Sequence, residues 1–270
     1  MTERSIDTRA TLRAQRATFG WQMSLLFVAL LLVFVYLPID IELPASLFAL
    51  MFSGVLLAVT FAVRTQRYWR SLSILLAVLS VVLSWAATLI ALPPIWLELA
   101  AFGSSAVFVI YTMSIIVVQL FRVQIVSVHT ITAALSLYLL LGILGGLLFA
   151  IVETVAPGSM ASNAGTTLSH IQRTVDLFPP LLYFSFTTLT TLGFGDLYPA
   201  AATARAIAIL EAVAGQIYLV VMVAVLVSMF AAERSRREES ELRDLRREER
   251  REMGDTSAEA GLIEQTEQMQ

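Results

Sequence analysis

Residues 187–199 read T-T-L-T-T-L-G-F-G-D-L-Y-P. Two glycines, Gly193 and Gly195, alternate with Leu192 and Phe194, behind paired threonines and ahead of Asp196, in a chain otherwise made of apolar runs. No ordinary membrane span needs that pattern. A bare cation leaving water does need something like it. Its hydration shell must be replaced by oxygens at similar spacing, and rings of backbone carbonyls from several identical strands supply them without burying a charge. Successive carbonyls can point to one axis only if the backbone alternates between ordinary and left-handed conformations, and glycine tolerates φ > 0 at no steric cost. Gly193 and Gly195 are the alternating positions. Thr191, Leu192, Gly193 and Phe194 would then offer stacked layers of oxygens, Thr191 adding its hydroxyl. Extended, residues 191–195 reach at most roughly 17 Å, room for several ions in single file.

What precedes the stretch is consistent with this. Pro179 and Pro180 suit the first turn of a helix, where a missing N–H costs nothing. The apolar segment from Leu181 to Thr190 would span roughly 15 Å as a helix, half the hydrocarbon thickness. Such a helix enters a bilayer without crossing it, and the negative end of its dipole favours a cation beyond its C-terminus.

Residues 191–196 resemble the selectivity filter of potassium channels, usually T-V-G-Y-G-D, with Leu192 in place of Val and Phe194 in place of Tyr. Both replacements occur in that superfamily, G-F-G notably in two-pore-domain and ether-a-go-go-like members. The resemblance covers about Tyr183 to Val227, the pore helix, filter and inner helix. It implies that Thr191, Leu192, Gly193, Phe194 and Gly195 form the ion-binding filter, with K⁺ held at the first four. It implies support from Asp196, which would bond the back of the filter and pore helix, and from Tyr183, Thr187 and Thr190. Thr187 stands where some bacterial members place an acid against that aspartate, and Tyr183 and Phe184 replace a frequent tryptophan pair. The usual filter hydroxyl is absent at Phe194, so the aromatic cuff would pack rather than hydrogen-bond. Gly215, twenty positions beyond Gly195, stands where related inner helices carry a hinge; close helix packing is an equal alternative.

Composition agrees with a membrane protein. Of 270 residues, 57% are hydrophobic and 14% charged, and mean hydropathy is +0.77, well outside the range of soluble domains. The formal net charge is −3, every cation is Arg, and there is no Cys, which excludes disulfide and thiol chemistry. Apolar runs lie at about Trp21–Leu37, Ala45–Val63, Ser71–Leu92, Trp96–Phe121, His129–Val152 and Ala204–Ala231. Each approaches the length a helix needs to span. Six spans place Arg4–Arg16, Arg64–Arg70, Arg122 and Arg234–Arg237 on one side, and Asp40, Glu42, Glu98 and the filter loop on the other. That satisfies the positive-inside rule at every loop, with both termini cytoplasmic. The first run is long for a signal peptide and lacks a cleavage site.

The fourth run carries no basic residue from Trp96 to Phe121, unlike a voltage sensor with arginines at every third position. In the fifth, Gly142, Gly145 and Gly146 form a small-residue packing face. The loop from Glu153 to Asp176 reads as a turret. His129 and His170 could titrate near neutrality, though interfacial histidines are commoner than sensors. Glu211 and Gln216 in the last run are costly in lipid and are expected to face protein, Glu211 against hydroxyls such as Ser185 or Thr188. Residues 233–252 alternate acid and base as a solvated helix, and 254–270 read as disordered.

The expectation is an all-α membrane protein: six transmembrane helices plus a re-entrant pore helix and filter loop, four copies completing one pore. Its parts are a cytoplasmic N-terminus at 1–19, a four-helix peripheral bundle at 20–125, a pore domain at 126–232, and a charged helix and tail at 233–270. The function expected is passive K⁺-selective conduction without steep voltage gating; a weakly selective cation channel and a non-conducting scaffold are the alternatives. Enzymatic motifs and a basic nucleic-acid footprint are absent. No cofactor is expected beyond K⁺ as permeant ion, and the partners are lipid, K⁺ and further copies of the chain. The location expected is the bacterial inner membrane.

Overall fold

The computed structural model describes residues 27–31, 50, 52–56, 58, 67–90, 92–122, 128–163 and 174–267. In order, its elements are α1 (Arg67–Leu89), α2 (Ile95–Arg122), α3 (Val128–Val155), β1 (Met160–Ser162), α4 (Thr174–Leu189), β2 (Leu197–Pro199) and α5 (Ala202–Glu267). Within them Ser71–Leu89, Ile95–Leu120, Thr130–Val155 and Ala202–Ala232 are long and apolar enough to cross a membrane. These are the third, fourth, fifth and last of the expected runs. The first two lie mostly outside the described residues, which show helix at 27–31 and 52–56.

The helices carry hydroxyls that hydrocarbon would penalise if left unbonded. Their own backbone satisfies six of them: Ser80, Thr88, Ser105, Thr112, Ser136 and Thr154 each donate to the carbonyl four residues earlier. Pro93 and Pro94 break the chain between α1 and α2, and the Pro94 carbonyl accepts from Leu97 N at 2.8 Å to start the next helix.

Packing runs in sequence, α1 on α2, α2 on α3 and α3 on α4. The buried core centres on Phe108, Phe149, Leu181 and Leu182. Phe178 of α4 meets Phe52 edge-on at 5.7 Å and Phe102 of α2 at 5.6 Å, and Phe184 meets Phe149 of α3 at 5.0 Å. α4 is thus enclosed by the helices before it. By contrast, α5 presents Leu210, Ile217, Val220 and Val227 outward, and almost none of Ala202–Ala232 is buried in one chain.

Two boundaries differ from expectation. α4 starts at Thr174, so Pro179 and Pro180 lie inside it rather than in its first turn. Asp176 in the first turn favours the earlier start through the helix dipole. The prolines forfeit only the bonds to the carbonyls of Val175 and Asp176, at an end where bonding is sparse. At 16 residues, or about 24 Å, the helix still falls short of a bilayer core of about 30 Å. The expectation of disorder from 254 is also corrected, because helix continues to Glu267. Half of residues 254–267 are Ala, Glu, Leu or Gln, good helix formers set against the ~1 kcal/mol that each of Gly254 and Gly261 costs a helix.

The chain divides into two compact units, Met1–Met222 and Val223–Gln270. In the second, Arg234 pairs with Glu238 at 3.0 Å and Arg243 with Glu239 at 3.6 Å, one turn apart and exposed. Each such pair contributes only about 0.3–0.5 kcal/mol.

Candidate functional site

The segment after α4 turns its N–H groups back onto that helix. Thr190 N donates to Phe186 O at 3.0 Å, Thr191 N to Thr188 O at 3.0 Å, and Leu192 N and Gly193 N both to Thr187 O at 2.8 and 3.1 Å. With donors fastened behind, the carbonyls of Thr191, Leu192, Gly193 and Phe194 accept no hydrogen bond among the described residues. The backbone alternates as the glycine spacing predicts: φ is +54° at Gly193 and +77° at Gly195, and also +60° at Thr191. A left-handed conformation at a β-branched residue is strained, by about 1–2 kcal/mol. The sequence reading took only the glycines as left-handed; counting two back from Gly193 on the same alternation leads to Thr191. Residues 190–196 are exposed in one chain, Leu192 by 58% and Phe194 by 65%.

The threonine hydroxyls serve their own helix. Thr187 Oγ1 donates to Phe184 O at 2.8 Å, Thr190 Oγ1 to Phe186 O at 2.6 Å, and Thr191 Oγ1 to Thr190 O at 2.6 Å. Thr187 therefore meets the glycine segment through its carbonyl, which takes two N–H groups, rather than through its side chain. Asp196 lies beside the Tyr183 phenol. The Tyr183 ring stacks on Phe194, centroids 6.4 Å apart and planes within 5°.

Behind α4 lies a close three-helix junction. A Cβ on Gly142 would strike the Phe186 ring, one on Gly145 would strike Glu211 Oε1 and Ser185 Oγ, and one on Gly146 would lie 3.0 Å from Leu182 Cα. Ser185, fully buried, lies 2.5 Å from both Gly142 O and Glu211 Oε1. One hydroxyl proton cannot serve two acceptors, so the junction is complete when Glu211 carries a proton of its own. Its Oε2 is buried without a partner. The expected contact between Glu211 and a pore-helix hydroxyl is made with Ser185 and not with Thr188.

Further along, Gly215 abuts the end of α4. A Cβ there would lie 2.7 Å from Leu189 Cδ1 and 2.9 Å from Leu189 O. That same carbonyl accepts from Tyr138 at 3.2 Å, Tyr138 stacks on Tyr218 at 5.8 Å, and Tyr218 donates to Ala134 O at 2.5 Å. Of the two readings left open for Gly215, close packing has geometry behind it, and α5 runs through this position as one helix.

Sequence reading took the segment ahead of α4 as a turret loop and missed its internal order. Ala156–Ser159 is a β-turn closed by Ser159 N on Ala156 O at 3.1 Å, with Pro157 at its second position and Gly158 at φ +87° at its third. Glu153, at the end of α3, receives Gly158 N at 2.7 Å and Met160 N at 2.9 Å on its two oxygens. β1 then pairs antiparallel with β2, Met160 opposite Pro199 and Ser162 opposite Leu197. One step further, Asn163 N donates to Asp196 O at 3.0 Å and Asn163 Nδ2 to Gly195 O at 2.6 Å. The turn was legible as P-G after an acid; nothing marked Asn163 among the polar residues around it.

The side chains of His129 and His170 lie outside the described residues. Among the described residues no cluster of His, Cys, Asp or Glu could hold a metal ion.

Residues 158–232 match a family model described as "Ion channel". The match begins in the β-turn, spans α4, the glycine segment and β2, and ends with the apolar part of α5. Comparison with curated proteins and with solved structures finds no match to either. A helical protein with four candidate membrane spans thus carries a stretch that matches an ion channel domain, which supports an integral membrane protein with ions as its permeant species.

Proposed function

We propose that the chain is one subunit of a tetrameric, K⁺-selective channel, with Thr191, Leu192, Gly193, Phe194 and Gly195 as its filter. The observation that carries the proposal is the alternation at 191, 193 and 195, which leaves four successive carbonyls without a partner among the described residues while the N–H groups of Thr191, Leu192 and Gly193 are held by α4. One chain offers one column of oxygens, and a dehydrated cation needs oxygens on all sides, so several copies about an axis are required. The exposed apolar face of α5 and the exposed filter residues are the surfaces those copies would cover. The four-helix bundle is a scaffold around the pore, and the membrane is the bacterial inner membrane with both termini cytoplasmic. Conduction is passive, and neither a reaction nor a cofactor is involved.

Purified protein in K⁺-loaded liposomes tests this directly. Uptake of Rb⁺ driven by the outward K⁺ gradient, abolished when external K⁺ is raised to the internal level and not matched by uptake of Na⁺, is expected. Equal uptake of Na⁺ would leave a weakly selective cation channel, a second reading that the stacked, hydroxyl-free Phe194 favours. No flux from a well-folded oligomer would leave a non-conducting scaffold.

A further inference from the structure

The filter end beyond Phe194 lacks what the inner end has. From 190 to 193 every N–H is fastened to α4, whereas Gly195 adopts φ +77° with no heavy atom within 4 Å of the place its Cβ would take. A glycine in open space leaves the following peptide free to swing. What holds that peptide comes from the other side, out of the turret. Glu153 fastens the start of the segment to α3, Ser159 O receives Ala200 N and Ala201 N at 2.8 and 3.1 Å at the entry to α5, and β1 pairs with β2 along its length. At the free end of this strap Asn163 grips two successive carbonyls, Gly195 O with its side chain and Asp196 O with its backbone.

We infer that Asn163, presented by β1, is a positioning residue for the outer end of the filter, where it fixes the Gly195–Asp196 peptide and so keeps the carbonyl column in its conducting arrangement. The inference rests on the filter reading above. Stacked carbonyl dipoles repel one another unless cations sit between them. A restraint applied from outside the column therefore matters most when the filter is short of ions. Removing the Nδ2 donor should leave the open pore as it is and shorten the time it stays conducting when external K⁺ is low. The loss of one hydrogen bond corresponds to a change of about fivefold in such an equilibrium.

The experiment compares wild type, Asn163→Ala and Asn163→Asp as single channels in planar bilayers at high and low external K⁺. Asn163→Ala removes the amide N–H and adds no charge, whereas Asn163→Asp keeps the shape and the backbone donor but replaces the amide with a carboxylate that repels Gly195 O. Asn163→Ala is expected to match wild-type unitary current and burst length at high K⁺, and both variants at low K⁺ to show bursts shorter than wild type, about fivefold for Asn163→Ala, restored when K⁺ is raised. Wild-type bursts from Asn163→Ala at low K⁺ would overturn the inference. So would a loss of conduction independent of K⁺, or failure of both variants to assemble, since either outcome makes the contact structural and nothing more. A wild-type chain that passes no K⁺-selective current would remove the filter reading itself, and this inference with it.

Discussion

At the scale of single residues, the glycines divide by what their missing Cβ allows. Gly193 and Gly195 have open space around them and positive φ, so the constraint there is conformational. Alanine at either would cost about 1–2 kcal/mol to hold left-handed and would relax by turning a carbonyl away. Gly193→Ala or Gly195→Ala is predicted to abolish selective Rb⁺ uptake in folded oligomer, and uptake of wild-type selectivity would refute the filter assignment. Gly145 is the opposite case, a helical glycine whose Cβ would collide with Glu211 and Ser185. Overpacking of that kind costs about 1–3 kcal/mol, so Gly145→Ala is predicted to lower the melting temperature of the detergent-solubilised protein. Glu211→Gln replaces the carboxyl with an amide that can still give Ser185 a proton, and is predicted to melt near wild type, where Glu211→Ala leaves a cavity and melts several degrees lower. If Gln and Ala melt alike, the junction does not depend on that donor. The glycines were legible in sequence because glycine alone meets their requirement without strain. Asn163 was not, since an asparagine in a polar loop satisfies almost any environment, and its partner is a main-chain oxygen that no side-chain pattern encodes.

At the scale of elements, four of the six expected spans, the third, fourth, fifth and last, were legible from length and hydropathy alone, and α4 from being too short to cross. Its start was misread because two adjacent prolines are a strong start signal and the acid at Asp176 a weaker one. Packing between elements is what sequence could leave only as alternatives. Gly215 was compatible with a hinge or a contact, and a hinge is a property of motion while a contact is a property of neighbours; only the second can be seen in Leu189, 2.9 Å from the missing Cβ. Because the obstructing atom is a backbone oxygen already held by Tyr138, it cannot give way as a side-chain tip would. Gly215→Ala is therefore predicted to reduce thermal stability and oligomer yield, by an amount on the order of 1–3 kcal/mol. A variant with wild-type stability and altered open probability would instead return Gly215 to the role of hinge.

At the scale of the whole molecule, the described spans offer little for an electric field to act on. Ile95–Leu120 contains no basic residue, and its acid, Glu98, lies in its first turn. Each charge crossing the full field is worth about 2.3 kcal/mol per 100 mV, and steep gating moves roughly three to four per subunit. Conductance in planar bilayers is predicted to vary weakly with voltage, and an activation curve needing more than about four effective charges per tetramer would overturn this. The helices ahead of α3 have another consequence, which follows from Phe52 and Phe102 resting on Phe178 of the same chain. On the tetrameric reading proposed above, each copy would carry its own supporting wall against its own quarter of the pore. In hetero-oligomers, a fault in that wall stays with the copy that brought it. Blending Phe102→Ala chains into wild type should then dilute the melting transition in graded steps set by the mixing ratio, where a wall shared between neighbours would let one faulty copy spoil two quarters at once.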